Sequence, residues 1–187
     1  MSRPAVFLDR DGVLIENRSD YVRSWEHVEF LPGSAAATQA LSAAGYVIVV
    51  VTNQSVVGRG IISREEAERI NQQVIGELAA QGGRIDAAYM CPHHPDDGCA
   101  CRKPAPGMLL QAAQELDLDL GGSFMVGDNI SDIEAGRNAG VCTVLVRTGL
   151  GEEQARRVQE KFNTGLAIVE NLPAAARYIL GKERDEG

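Results

Sequence analysis

Four polar clusters in this sequence follow short apolar runs, and their residue types suit phosphoryl transfer. Asp9 and Asp11 come directly after residues 5–8, and Thr52 comes directly after residues 46–51. Lys103 follows a third, weaker apolar segment, and Asp128 follows a fourth at residues 123–126. Carboxylates can hold a hard divalent cation such as Mg²⁺, while a hydroxyl and an ammonium group can bind phosphate oxygens. Together these residues indicate a site for a small phosphorylated substrate.

The paired aspartates predict a metal site for an electrostatic reason. Two unneutralised carboxylates in one small volume repel each other, so one of them would take up a proton unless a cation binds. Gly12 allows the turn that brings Asp9 and Asp11 together. Asp128 can add a third carboxylate, and Asp132, one helical turn further on, can orient the site. One carboxylate could attack phosphorus, and the other could protonate the leaving oxygen and then deprotonate water.

A cluster of cysteine and histidine residues precedes Lys103. The stretch 91–104 reads CPHHPDDGCACRKP and contains three of the chain's 4 cysteines. Three thiolates and one imidazole fit a closed tetrahedral zinc site. The ligands would be Cys91, Cys99, Cys101 and either His93 or His94. Such a zinc ion would be structural: it would fold a loop with little to bury and hold Arg102 and Lys103 over the phosphate. Free thiols without a metal are the alternative.

Alternating strand and helix patterns predict how these residues are positioned. Strands are expected at residues 5–8, 46–51, 85–90, 123–126, 142–146 and 167–169. Helices are expected at residues 34–44, 63–80, 106–116, 131–139 and 173–180. This order favours an α/β fold, a three-layer α/β/α Rossmann-like sandwich with a mostly parallel central sheet. Ligands of such sheets bind beyond the carboxyl ends of the strands, where all four clusters lie.

Composition limits the class of protein. The chain has 187 residues, of which 44% are hydrophobic and 24% charged, values that are typical of a globular domain. The net charge of −8 argues against nucleic acid as a partner. No apolar stretch approaches the roughly twenty residues of a membrane span, and the first residues do not resemble a signal peptide. We expect a cytoplasmic monomer of one domain, with Cys142 in its core and a charged, frayed tail at residues 181–187.

The ordered clusters resemble the four motifs of the haloacid dehalogenase-like phosphatases. The matching segments are FLDRDGVL, VVVTNQS, CRKP and VGDNISDIEAG, and the resemblance spans residues 5–149. It implies that Asp9 is the nucleophile and that Asp11 is the general acid and base. It implies that Mg²⁺ is bound by Asp9, by the backbone carbonyl of Asp11 and by Asp128. It also implies that Thr52 and Lys103 stabilise the phosphoryl group.

The cysteine-rich loop is similar to that of two groups within this superfamily. The D-glycero-D-manno-heptose 1,7-bisphosphate phosphatases and the histidinol-phosphatases both carry CPHHP followed by CxCRKP, and their Cys-x-His spacing favours His93 as the zinc ligand. Resemblance to the heptose enzymes implies removal of the C7 phosphate from a heptose bisphosphate. Histidinol phosphate or a broad range of small phosphomonoesters are the alternative substrates. Contacts to the substrate are implied for Asn53, Gln54, Ser55 and Arg102.

One departure from the heptose pattern concerns charge around the substrate. Asn129 stands where those enzymes have a lysine, and we expect it to face the substrate. Positive charge beside the substrate would then have to come from Arg102, Arg59 or Arg18. Arg59 lies between two glycines and could meet a second phosphate, or it could be an exposed loop charge.

The short intervals between the motifs bear on access to the site. Residues 12–51 and 56–102 leave no room for a separate cap domain, so the site should be open. Tyr21 and Trp25 could line it, although Trp25 could equally cover the edge of the core.

Overall fold

A computed structural model gives the structure of residues 2–162 and 166–185. Six strands form one central sheet with the order β3-β2-β1-β4-β5-β6, and every neighbouring pair is parallel. The strands are β1 Arg3–Leu8, β2 Val47–Asn53, β3 Ala87–Cys91, β4 Leu118–Gly127, β5 Cys142–Val146 and β6 Leu166–Val169. The predicted α/β architecture with a parallel central sheet is therefore confirmed.

Helices cover both faces of this sheet. They are α1 Ser34–Ala43, α2 Ser55–Gly58, α3 Arg64–Ala80, α4 Gly107–Leu116, α5 Ile130–Ala139, α6 Gly151–Lys161 and α7 Leu172–Asp185. Buried side chains of α1, α3 and α7 share one hydrophobic cluster, whereas those of α4 and α5 belong to the cluster on the opposite face. A third, smaller cluster joins α5 and α6 over β5. The sheet thus lies between two helical layers.

The central strands are buried on both faces, which explains their apolar composition. Successive side chains of β1 alternate between the two clusters: Val6 and Leu8 face α1, α3 and α7, and Ala5 and Phe7 face α4 and α5. All four are 0% exposed. A strand enclosed on both sides in this way has little freedom to shift. The residues that follow its carboxyl end are therefore held in a fixed position.

Several elements differ from the sequence-based prediction. The short helix α2 was not predicted, and β4 begins at Leu118 rather than at residue 123. Helix α6 was not predicted, because its GEEQARRVQEK sequence is mostly charged and buries only a narrow stripe that includes Ala155 and Val158. Helix α7 continues to Asp185, well past its predicted end at residue 180, so the expected frayed tail begins as helix. Residues 186–187 of that tail lie outside the described part of the chain.

The prediction that Cys142 lies in the core is wrong, because its side chain is exposed. It is the first residue of β5, and burial begins only at the next position of that strand.

The connections between strands are compact. Within the described residues, β1 and β2 are joined only by a loop, a 3-10 turn at Trp25–His27 and α1. The segment from β2 to Lys103 contains α2, α3, β3 and a second 3-10 turn, Pro95–Asp97. These connections contain no additional domain over the carboxyl ends of the strands. Among the described helices, none combines the length and the apolar character that spanning a membrane would require.

Candidate active site

Adjacent strands bring charged side chains together at one edge of the sheet. Asp9 follows β1, Asp128 follows β4 and Lys103 lies in the loop after β3. The Nζ atom of Lys103 lies 2.9 Å from Oδ1 of Asp9 and 2.7 Å from Oδ1 of Asp132. One carboxylate oxygen from each of Asp9, Asp128 and Asp132 lies within 4.8 Å of the others. The structure therefore gathers three carboxylates around one ammonium group.

Lys103 is held firmly in this position. Its residue is only 3% exposed, and Nζ also donates a hydrogen bond of 2.7 Å to the carbonyl oxygen of Val51 in β2. Burial opposes the charged form, but the carboxylates of Asp132 and Asp9 outweigh burial and raise the pKa of Lys103. The side chain therefore stays positively charged at neutral pH, as binding of a phosphoryl group requires.

The carboxylates carry more negative charge than one lysine can balance. Burial raises the pKa of Asp9 to about 7 against the attraction of Lys103, and Asp132 and Asp11 raise it further. Burial, together with repulsion from Asp9 and Asp132, raises the pKa of Asp128 to about 8. The backbone N–H of Leu150 partly opposes this shift by donating to Oδ2 of Asp128 at 2.8 Å. Clustered oxygen ligands with unbalanced charge fit a hard divalent cation such as Mg²⁺.

Two glycines allow the backbone to approach Asp128 closely. Gly12 has φ +82° and Gly149 has φ +60°. A Cβ atom on Gly12 would lie 2.0 Å from Oδ2 of Asp128, and one on Gly149 would lie 2.1 Å from the same oxygen. The hydroxyl of Thr148 donates to the carbonyl oxygen of Gly12 at 2.6 Å and ties the two loops together. Only glycine fits at these positions, so the acidic cluster depends on both of them.

Asp11 lies beside this cluster and has partners of its own. Its carboxylate accepts hydrogen bonds from Nε and Nη2 of Arg10, at 3.1 and 3.0 Å. Gln54, directly after β2, donates to Oδ2 of Asp11 and to Oγ1 of Thr52, both at 2.8 Å. Thr52 is fully buried. The ends of β1 and β2 are thus joined by side-chain hydrogen bonds, and the Asp11 side chain remains 21% exposed toward the cleft.

A cleft of about 240 Å³ opens above the acidic cluster. Among the described residues, the buried Nη1 atom of Arg102 has no hydrogen-bond partner. Asn129 caps α5 by accepting from the N–H of Ser131 at 3.1 Å, and both residues line the cleft. The other lining residues are Asp9, Asp11, Asn17, Arg18, Tyr21, Val22, Asn53, Gln54, Ser55, Arg102, Lys103, Asp128, Asp132 and Leu150.

Two residues considered from the sequence lie elsewhere. Arg59 is exposed at the end of α2 and is not among the residues that line the cleft. Trp25 packs edge-on against Phe30, with ring centroids 6.3 Å apart, at the margin of the core. Of the two aromatic candidates, only Tyr21 borders the cleft.

The cysteine-rich loop forms a compact group of possible metal ligands. One ligand atom from each of four residues lies within 4.8 Å of the others, and the residues are Cys91, His93, Cys99 and Cys101. The Sγ atoms of Cys91 and Cys99 are 3.6 Å apart, and those of Cys99 and Cys101 are 3.5 Å apart. A zinc ion with Zn–S bonds of about 2.3 Å would place its sulfur ligands roughly 3.8 Å apart. The donor set therefore fits a tetrahedral zinc ion.

The neighbouring histidines have different partners. Nδ1 of His93 lies 3.5 Å from Sγ of Cys91 and 3.2 Å from Sγ of Cys101. Nδ1 of His94 instead accepts a hydrogen bond of 3.3 Å from the N–H of Asp96, at the start of the second 3-10 turn. Only His93 belongs to the four-residue group, which agrees with its Cys-x-His spacing.

The structure also reveals site residues that the sequence did not indicate. Arg10 is 2% exposed and Asn71 is 8% exposed, and their side chains form a hydrogen bond behind Asp11. Arg10 lies between the two aspartates in the sequence, but an arginine at that position gives no indication that it is buried. Asn71 lies far away in the sequence, and no local pattern connects it to the site. The contact between Leu150 and Asp128 is made by a backbone N–H, so the residue type at position 150 does not indicate it.

Comparison with known proteins identifies close relatives. A family model described as HAD-hydrolase-like matches residues 100–175. A D-glycero-beta-D-manno-heptose-1,7-bisphosphate 7-phosphatase from Bordetella bronchiseptica is 40% identical over 94% of this chain and 97% of its own length. A D-glycero-alpha-D-manno-heptose-1,7-bisphosphate 7-phosphatase from Burkholderia mallei is 40% identical over 100% of this chain and 99% of its own.

A solved structure resembles the whole chain. It is the D,D-heptose 1,7-bisphosphate phosphatase from B. bronchiseptica, complexed with magnesium and phosphate. The TM-score is 0.86 at 39% sequence identity, and the match covers 96% of this chain and 99% of that one.

Proposed function

Because the chain belongs to the heptose bisphosphate phosphatase family of haloacid dehalogenase-like hydrolases, we propose that it removes the 7-phosphate of D-glycero-D-manno-heptose 1,7-bisphosphate. The convergence of Asp9, Asp128 and Lys103 is the observation that carries this proposal. In this proposal Asp9 is the nucleophile, Asp128 is a cation-binding carboxylate and Lys103 is a fixed positive charge beside them. The solved relative bound to magnesium and phosphate supports the same reading.

The first chemical step is transfer of the phosphoryl group to the enzyme. Asp9 attacks phosphorus, the bond between phosphorus and the sugar oxygen breaks, and Asp11 protonates that oxygen. Lys103 and Thr52 bind the phosphoryl oxygens and balance the charge that develops on them. Asp9, Asp128 and the backbone carbonyl of Asp11 would hold Mg²⁺, which would supply further neutralisation of this charge.

The second step releases phosphate. Asp11, now a carboxylate, takes a proton from water, the water oxygen attacks phosphorus, and the bond to Asp9 breaks. Inorganic phosphate leaves, and Asp11 again carries the proton that it needs for the next leaving group. Since the same side chain serves in both steps, its position matters twice in each cycle.

The cleft suits a substrate with a second charged group. Arg102 lines the cleft, and its buried Nη1 atom has no protein partner. Arg18 lies on the wall formed by the loop after β1. These two arginines can bind polar groups or the remote phosphate of a bisphosphate. Asn129, Gln54 and Ser55 can bind sugar hydroxyls. Arg59 has no part in this proposal, because it lies outside the cleft.

We also propose that the cysteine-rich loop binds a structural zinc ion through Cys91, His93, Cys99 and Cys101. The four ligands would leave no open position for catalysis. Arg102 and Lys103 directly follow the last ligand. A metal bound here would therefore hold both of these side chains in position at the cleft. The expectations of a monomer, a cytoplasmic location and no nucleic-acid partner stay predictions from the sequence.

Steady-state kinetics on the purified protein test the proposed substrate. Both anomers of heptose 1,7-bisphosphate should be compared with histidinol phosphate, because the named relatives include β- and α-anomer enzymes. We expect kcat/KM for one heptose anomer to exceed that for histidinol phosphate by about 100-fold or more, since the cleft would leave buried polar groups unpaired with the wrong substrate. Equal or better turnover of histidinol phosphate would overturn the substrate assignment but not the reaction.

A further inference from the structure

Arg10, the residue between the two aspartates, is almost completely buried. It is 2% exposed, and all three nitrogens of its guanidinium group have partners. Nε and Nη2 donate to the two carboxylate oxygens of Asp11, while Nη1 donates to Oδ1 of Asn71 at 2.6 Å. A buried guanidinium group is costly unless its donors are satisfied, so this arrangement fixes the side chain in one geometry.

Asn71 provides the outer anchor of this arrangement. It lies in the middle of α3, the 17-residue helix Arg64–Ala80, and is 8% exposed. Neighbouring buried residues of this helix, including Ile70 and Val74, pack into the core against the sheet. Nδ2 of Asn71 contacts Sδ of Met90 in β3 at 3.5 Å. The amide oxygen that accepts the hydrogen bond from Arg10 is therefore attached to a helix that packs into the hydrophobic core.

Gln54 also donates a hydrogen bond to the Asp11 carboxylate. Its Nε2 atom donates to Oδ2 of Asp11 and to Oγ1 of Thr52. Asp11 is thus held between a guanidinium group supported by α3 and an amide supported by β2. Because the Asp11 side chain keeps 21% of its surface exposed, these contacts orient it toward the cleft rather than bury it.

We propose that Arg10 and Asn71 are positioning residues that hold the Asp11 carboxyl group where it can transfer a proton to the leaving oxygen. This inference rests on the proposed function and extends it to two residues that contact no substrate in that proposal. Neither residue lines the cleft, so each acts through Asp11. Small displacements of a group that transfers protons reduce its contribution steeply.

The leaving group provides a readout that a merely structural role would not affect. A sugar alcohol leaves slowly unless it is protonated, whereas p-nitrophenolate leaves without a proton. The second-order constant kcat/KM reports the steps through phosphoryl transfer. A misplaced Asp11 should therefore lower kcat/KM for heptose bisphosphate and leave kcat/KM for p-nitrophenyl phosphate nearly unchanged.

The decisive variant is Asn71→Ala, measured with both substrates beside Asn71→Asp and Gln73→Ala. Asn71→Ala removes the acceptor for Arg10, Asn71→Asp keeps an acceptor oxygen there, and Gln73 is an exposed residue of the same helix. We expect Asn71→Ala to lose about 10-fold or more in kcat/KM for heptose bisphosphate and less than about 3-fold for p-nitrophenyl phosphate. Asn71→Asp should recover most of the loss, and Gln73→Ala should behave as wild type.

Several results would overturn the proposal. These are equal losses with both substrates, no loss with either, or failure of Asn71→Asp to recover activity. Thermal unfolding of each variant shows whether the fold is retained, and Arg10→Lys provides a second test if Asn71→Ala does not fold. A wild-type protein without phosphatase activity toward either substrate would instead contradict the proposed function itself.

Discussion

The side-chain amide of Asn53 holds the backbone of Lys103 at both of its polar groups. Nδ2 of Asn53 donates to the carbonyl oxygen of Lys103 at 3.0 Å, and Oδ1 accepts from its N–H at 3.1 Å. Asn53 is the last residue of β2, so the loop after β3 is fixed to the neighbouring strand end. The resemblance implies that Asn53 contacts the substrate, and Asn53 lines the cleft. The hydrogen bonds to Lys103 give it a further task within the protein.

This relationship predicts the kinetics of Asn53→Ala. Without the amide, the backbone of Lys103 loses two hydrogen bonds and its ammonium group moves relative to Asp9. We expect kcat to fall about 100-fold, with KM changed less than about 3-fold, because Lys103 acts on the transition state in the proposed mechanism. Steady-state kinetics with heptose bisphosphate provide the measurement, with Gln111→Ala on the exposed face of α4 as the control. A rise in KM at constant kcat would show that Asn53 is a substrate contact instead.

The two adjacent histidines predict different effects on metal content. His93→Ala should reduce zinc from about one ion per chain to a small fraction, since it removes one of the four proposed ligands. It should also lower Tm by about 5 °C or more, which corresponds to roughly 2 kcal/mol for a chain of this size. His94→Ala loses the cap of a 3-10 turn and a contact with the Asp96 carboxylate, and it should retain the metal. Elemental analysis and thermal unfolding measure both effects, and zinc-free wild-type protein would contradict the account of the loop.

Gly12 and Gly140 form a matched pair for testing the acidic cluster. Both have φ +82°, but a Cβ atom on Gly12 would collide with Asp128, whereas one on Gly140 would meet nothing within 4 Å. Gly140→Ala should cost only the backbone strain of about 1–2 kcal/mol and leave kcat nearly unchanged. Gly12→Ala should in addition displace Asp128 and lower kcat/KM by about 100-fold or more. Comparable activity in the two variants would mean that the close approach at Asp128 is unimportant for catalysis.

The raised pKa values of Asp9, about 7, and Asp128, about 8, predict how stability varies with pH. Both values lie above those of an unfolded chain, so the folded protein binds more protons between about pH 4 and pH 8. Stability without Mg²⁺ should therefore fall as the pH rises through this range. If Mg²⁺ binds the deprotonated carboxylates, as proposed, its stabilising effect should grow with pH.

Thermal unfolding at pH 6 and pH 8.5, with and without Mg²⁺, measures this dependence. We expect Tm without Mg²⁺ to be lower at pH 8.5, and the increase on adding Mg²⁺ to be larger there. Asp128→Asn serves as the control, because it removes one of the two titrating groups and should flatten the profile. A Mg²⁺ effect of equal size at both pH values would argue against protons and metal competing for these carboxylates.

The sequence predicted the parts of the site that depend on strand ends. The run YVIVVV at residues 46–51 marked a strand buried on both faces, and the polar residues after each such run could then be assigned to one edge of the sheet. The spacing of cysteines and histidines similarly predicted a four-ligand group. These signals are local, because each depends on residue types within a few positions of one another.

Contacts between distant segments could not be predicted in this way. Asn71 is 61 residues from Arg10, and nothing in the helix pattern of α3 shows that one buried polar residue faces an active site. The Leu150 N–H reaches Asp128 through the backbone, which every residue possesses. The expectations for Arg59 and Cys142 rested on residue type and sequence neighbours alone. Their exposure depends instead on where helix α2 ends and where strand β5 begins.

The central claim is that Asp9 is the nucleophile, and direct detection of its phosphorylated form tests it most directly. Turnover of heptose bisphosphate is stopped with acid within milliseconds, the acyl phosphate is reduced with borohydride, and the modified residue is located by mass spectrometry. Asp9→Asn serves as the control and should give neither modification nor turnover. We predict that the modification is found at Asp9 in the wild-type protein. Modification of another residue, or full turnover by Asp9→Asn, would contradict the account.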